Sequence, residues 1–131
     1  MLPVLHQQRY QELQQRLQTW QAADDRSEIW HPAAVTAEIA ALHSQWQQTL
    51  LSLDDAALEP RLAHHLRAVQ IEIDKQLRLL RMDSQFLQVA KQSSTGDQRR
   101  RQMRDRLALL LRYCDAVLGY KSDDRDDPLT C

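Results

Sequence analysis

Between Pro60 and residue 92 the chain holds no glycine and no further proline, while large apolar residues recur on a helical period. Leu62, Leu66, Val69, Ile73, Leu77, Leu80 and Leu87 form the series, with Met82 and Phe86 beside it. Steps of three and four put these side chains on one stripe of a helix. The spacing predicts a single helix over 60–92, spanning about 50 Å. That is longer than its neighbours need for a compact bundle. Asp83 and Ser84 fill the one wide gap, between Leu80 and Leu87, and leave open whether the helix is straight or broken there.

Three other segments repeat the pattern. Tyr10, Leu13, Leu17 and Trp20 mark a helix over about 4–22. Val35, Ile39, Leu42, Trp46 and Leu50 mark a second over about 33–52, opening at Pro32, which costs nothing in a first turn. Met103, Leu107, Leu110, Leu111, Cys114, Val117 and Leu118 give the last helix a broad apolar face, with Gly119 placed for its C-cap. Ser93-Ser94-Thr95-Gly96-Asp97 reads as the clearest loop, with Thr95 or Asp97 capping the helix that follows. Two glycines and four prolines are too few for the tight turns of a sandwich or barrel. Four amphipathic helices with short connections bury their stripes best as an all-α, antiparallel four-helix bundle with a long third helix. The bundle is expected over 1–120, followed by an acidic, disordered tail over 121–131 that contains Asp123-Asp124-Arg125-Asp126-Asp127. Trp20 and Trp46 are expected in or at the edge of the core, and Trp30 in the first loop.

Catalytic patterns are missing from the sequence. Two glycines cannot build a phosphate-binding loop or a nucleophile elbow. Cys114 falls on an apolar helix face and is expected to be buried and inert. Glu28-Ile29-Trp30-His31 is a lone Glu-x-x-His string, where a di-iron bundle needs two. His64 and His65 are adjacent and cannot share a helix face; one of them could approach His43 or His6 across the bundle. The expectation is therefore a protein that is not an enzyme and binds no metal or cofactor. No run approaches the ~18–20 apolar residues of a membrane span, and the first residues lack a signal-peptide pattern. Two cysteines cannot make a disulfide scaffold, so the cytoplasm is the expected location.

Charge is unevenly spread. Residues 1–58 hold three basic and seven acidic side chains, a net of −4. Residues 59–113 hold twelve basic and six acidic, a net of +6, and 114–131 hold two basic and five acidic, a net of −3. Arg99, Arg100, Arg101, Arg104 and Arg106 crowd the expected start of the last helix, where the helix dipole disfavours cations. Such crowding costs stability and points to a landing surface for an anion, completed by Arg78, Arg81 and Lys91. An acidic protein partner fits it best. Nucleic acid is the second reading, weakened by a net charge of −1 and the lack of a recognition motif. A structural homodimer, with the long third helix paired to its copy, is the third.

The opening Met1-Leu2-Pro3, followed by His6-Gln7-Gln8-Arg9-Tyr10-Gln11, the four helical segments and the basic start of the last one resemble the PatD family. These are small cyanobacterial proteins that limit heterocyst frequency. The resemblance implies a cytoplasmic regulator that binds the tubulin-like division protein FtsZ and modulates its assembly. It carries no residue-level motif, so the arginine surface stands on charge alone.

Overall fold

The computed structural model describes residues 2–25, 32–50, 53, 56, 58–89 and 93–119. Four helices follow one another: α1 (Val4–Asp25), α2 (Pro32–Gln45), α3 (Pro60–Val89) and α4 (Ser93–Leu118). A π-helical turn, Trp46–Leu50, extends α2. Trp30, Glu28, His31, Lys91 and the acidic tail lie outside the described residues.

The chain runs up and down. His43 of α2 meets Asp74 of α3, and Thr36 meets Gln88, so rising numbers on α2 match falling numbers on α3. The α3–α4 pair is likewise antiparallel, with Asp83 against Arg99, Gln76 against Arg106 and Glu72 against Tyr113. α1 packs on α4 and on the π turn. The result is the expected all-α antiparallel bundle.

The apolar stripes meet in one core. Tyr10, Leu13 and Leu17 of α1 join Ile39, Leu42, Trp46 and Leu50, the α3 series from Leu62 to Leu87, and Met103, Leu107, Leu110, Cys114 and Val117 of α4. Trp20, Val35, Leu111 and Leu118 pack at its edge. The Tyr10 and Trp46 rings meet edge to face, with centroids 6.1 Å apart.

The helix boundaries have local causes. Glu59 caps α3: its carboxylate accepts the amides of Arg61 at 3.1 Å and Leu62 at 3.2 Å, and Pro60 takes the first helical position. α3 runs unbroken past Asp83. Asp83 and Ser84 face inward, whereas Met82 and Phe86 are exposed, not beside the core. At the end of α2 two consecutive steps of four, Leu42 to Trp46 to Leu50, overrun the 3.6-residue period. A looser turn absorbs the overrun and keeps Leu50 buried. The Thr49 hydroxyl donates to the Gln45 carbonyl at 2.6 Å, where the winding changes.

One expectation fails. Residues 93–97 are not a loop; α4 already begins at Ser93. Gly96 sits inside that helix, buried, with room around it. A Cβ there would meet an Arg100 side-chain nitrogen at 3.5 Å and the Leu87 methyl at 3.7 Å, both ordinary contacts. Glycine is a loop signal in a sequence, but a helix tolerates one glycine at a cost of ~1 kcal/mol.

Two stability outcomes follow. Gly96→Ala raises the unfolding free energy by about 0.5–1 kcal/mol, because alanine fits and the unfolded chain loses freedom. Trp46 is fully buried, and its indole N–H has no hydrogen-bond partner among the described residues. Trp46→Phe therefore costs less than ~1.5 kcal/mol, since the unmade bond disappears with the ring nitrogen. Trp46→Ala costs about 3–5 kcal/mol. Urea unfolding of the three variants checks both statements.

Candidate protein-binding surface

Asp83 organises the basic end of the bundle. Its carboxylate is only 4% exposed and takes both Arg99, at 3.3 Å, and Arg106. The same two arginines reach side-chain amides: Arg106 donates to Gln76 at 3.4 Å and Arg99 to Gln102 at 3.1 Å. The Arg99 guanidinium also lies 4.4 Å above the Phe86 ring. Two guanidiniums thus compensate one buried carboxylate, and the amides take up further donors.

This geometry revises the arginine surface expected from the sequence. The sequence suggests arginines crowded into the first turns of the last helix. Since α4 begins at Ser93, Arg99 is its seventh residue, beyond the turn in which the dipole acts. The arginines do not form one landing surface either. Arg99 and Arg106 instead turn to α3. Arg100 pairs with Asp97 at 3.1 Å, and Arg101 and Arg104 are exposed. At ~100° per residue Arg100, Arg101 and Arg104 lie on a different side of α4 from Arg99 and Arg106.

Arg78 and Arg81 do not extend that cluster either. Asp74 and Gln88 face α2, through His43 and Thr36. Arg81 stands seven residues from each and so shares their side of the helix. Arg78 pairs with Asp74 at 3.2 Å on the same side. The α4 side of α3 is the one that carries Glu72, Gln76 and Asp83. Lys91 lies outside the described residues.

Further exposed cations are on α3, with Arg78 and Arg81 at its edge toward α2 and Arg78 held by Asp74. Arg61, Arg67, Lys75, Arg78 and Arg81 are exposed. The three carboxylates within α3 all turn toward neighbouring helices: Glu72 accepts the Tyr113 hydroxyl at 3.4 Å, Asp74 holds His43 and Arg78, and Asp83 holds Arg99 and Arg106. Every exposed charged side chain within α3 is therefore positive.

Among the described residues the titratable groups elsewhere do not converge on one site. His65 is buried, with Nε2 3.3 Å from the Ala116 carbonyl, while His64 beside it is exposed. His43 binds Asp74 at 3.0 Å, so neither His64 nor His65 is its partner there. Among the described residues no three His, Cys, Asp or Glu side chains come together as metal ligands. A shallow groove of about 220 Å³ runs along Gln76, Gln102, Asp105, Arg106 and Leu109, smaller than most small-molecule sites. Burial, then the Glu72 charge and hydrogen bond, push the Tyr113 hydroxyl up, against a small opposing effect of Arg112. Burial, with help from Asp115, pushes the Cys114 thiol up to about 12. No described helix is long and apolar enough to cross a membrane.

In the sequence the crowded arginines of α4 stand out first, with Arg78, Arg81 and Lys91 as their complement on the third helix. The signal that could have found α3 was the position of its carboxylates: Asp83 lies on the apolar stripe, where only a paired acid is tolerated.

Asp83→Ala should lower the unfolding free energy by about 2–3 kcal/mol, less than a fully enclosed pair because both arginines can reach water; denaturant titration measures it. The Cys114 thiol should react with a disulfide reagent at pH 8 at least ~100-fold more slowly in the native Cys131→Ser protein than in urea, because only the thiolate attacks. The unfolded chain sheds this proton first, near the ordinary ~8.5. Raising the pH above that value therefore favours unfolding. Comparison of the chain with family models, curated proteins and solved structures found no match.

Proposed function

We propose that the chain is a non-catalytic, regulatory protein-binding module that takes an acidic partner on the outer face of α3. One observation carries the reading: the exposed charges of α3 are uniformly positive, while Asp83 and Glu72 turn to α4 and Asp74 is taken by His43 and Arg78. A cationic face of this kind speeds encounter with an acidic protein, and its attraction weakens with salt. The α4 arginines contribute differently. Arg99 and Arg106 hold Asp83, and Arg101 and Arg104 add positive potential at one end.

The resemblance of the sequence to the PatD family makes FtsZ the first partner to test. Regulation of FtsZ assembly, and through it of cell division or heterocyst frequency, is the activity that this resemblance suggests. The cytoplasm is the compartment in which it would act. Co-sedimentation with FtsZ polymers tests the reading. The triple variant Arg67→Glu, Lys75→Glu, Arg78→Glu should bind at least tenfold more weakly, and binding of the parent protein should fall as salt rises. Undiminished binding by a folded triple variant would sink the proposed surface. A low-salt gel shift of duplex or single-stranded DNA that the same variant abolishes would favour nucleic acid instead.

A further inference from the structure

The outer face of α3 carries more than charge. Ile71, Met82, Phe86 and Val89 are large apolar side chains standing in water, 67%, 49%, 46% and 70% exposed. At ~100° per residue they fall within about 60° of one another, opposite the buried line through Leu66, Ile73 and Leu80. Together they form a ridge about 27 Å long. Lys75 and Arg78 occupy the same line between Ile71 and Met82, and Arg67 and Arg81 flank it. At its end Arg99, held by Asp83, stacks at 4.4 Å on the Phe86 ring. Single exposed apolar residues are ordinary; four aligned on one helix, with cations set among them, are not scatter.

We propose that this ridge docks an acidic amphipathic helix of a partner protein, laid along α3. The proposal rests on the protein-binding reading above and specifies the partner. Met82, Phe86 and Val89 stand at i, i+4 and i+7, the spacing that fits the groove between side-chain rows of another helix. The occupant must be anionic, because Lys75 interrupts the apolar line and needs a carboxylate opposite it, while Arg78, already paired with Asp74, keeps the edge of the line basic. A second copy of this chain meets that need poorly. Antiparallel pairing about the middle of the ridge would set Arg78 and Arg81 close to their own counterparts. The occupant that satisfies both chemistries has apolar residues at both ends of ~27 Å and glutamates or aspartates between.

Two fluorescent 20-residue probes test this on the full chain by anisotropy. The first is a synthetic helix with leucine and phenylalanine on one face, flanked by glutamates. The second keeps the glutamates and replaces the apolar positions by serine and glutamine. The first should bind at least tenfold more tightly than the second. Met82→Glu with Val89→Glu should raise its Kd at least tenfold, whereas Gln11→Glu, at an exposed position of α1, should change it less than twofold. Amide shifts of the parent protein on adding the first probe should centre on residues 71–89, which locates the contact without any variant. Equal binding of both probes, unaffected by the ridge variant, would leave the charge-based reading standing and overturn the ridge. Binding of neither probe would overturn both. Binding to phosphatidylglycerol vesicles but to neither peptide would assign the ridge to a lipid surface. A dimer in sedimentation that Met82→Glu with Val89→Glu dissolves would assign it to a second copy.

Discussion

A buried carboxylate needs a counter-charge, and in this bundle that need fixes how α3 lies against α4. Asp83 occupies a position on the apolar stripe, so its desolvation must be offset within the fold. Arg99 and Arg106 do so from α4, seven residues apart and therefore on one side of that helix. A one-turn slip of α4 would carry them past the acid. Hydrophobic packing alone is less discriminating, because leucines accept many neighbours. The pair of guanidiniums on one carboxylate selects a register.

That clamp also redistributes charge over the surface. It draws two arginines of the densest basic cluster inward, and it hides an acid of α3 from water. Asp74 is occupied in the same way by His43 and Arg78, and Glu72 by Tyr113. α3 is left with positive charge on its exposed side and an apolar ridge along it. The contacts that hold the bundle together are thus the ones that give its outer face its sign.

Much of the architecture was legible because periodicity records burial directly. The stripe from Tyr10 to Leu17 and the run from Leu62 to Leu87 name core residues one by one, and the missing glycines exclude the alternatives. Local details were less legible. The π turn at Trp46–Leu50 results from a phase mismatch, which steps of four hint at but do not specify. The start of α4 was misplaced because Ser93–Asp97 has loop-like composition, although the packing of Gly96 against Leu87 accommodates a helix there. The distribution of surface charge was the least legible. Consecutive arginines look like one patch in a sequence, but at ~100° per residue they point in different directions.

Spacing of apolar residues along the chain determined that this protein is helical, how many helices it has and which side of each is buried. These properties depend on short-range geometry and on the free energy of removing hydrocarbon from water. Only the tertiary structure decided which cations are spent and which are available. Whether Arg99 neutralises Asp83 or meets a partner depends on which helix faces which, and that relation joins residues far apart in the chain. Solvent exposure of Ile71, Met82, Phe86 and Val89 belongs to the same class, since it follows from the absence of a neighbouring helix on that side of α3 among the described residues.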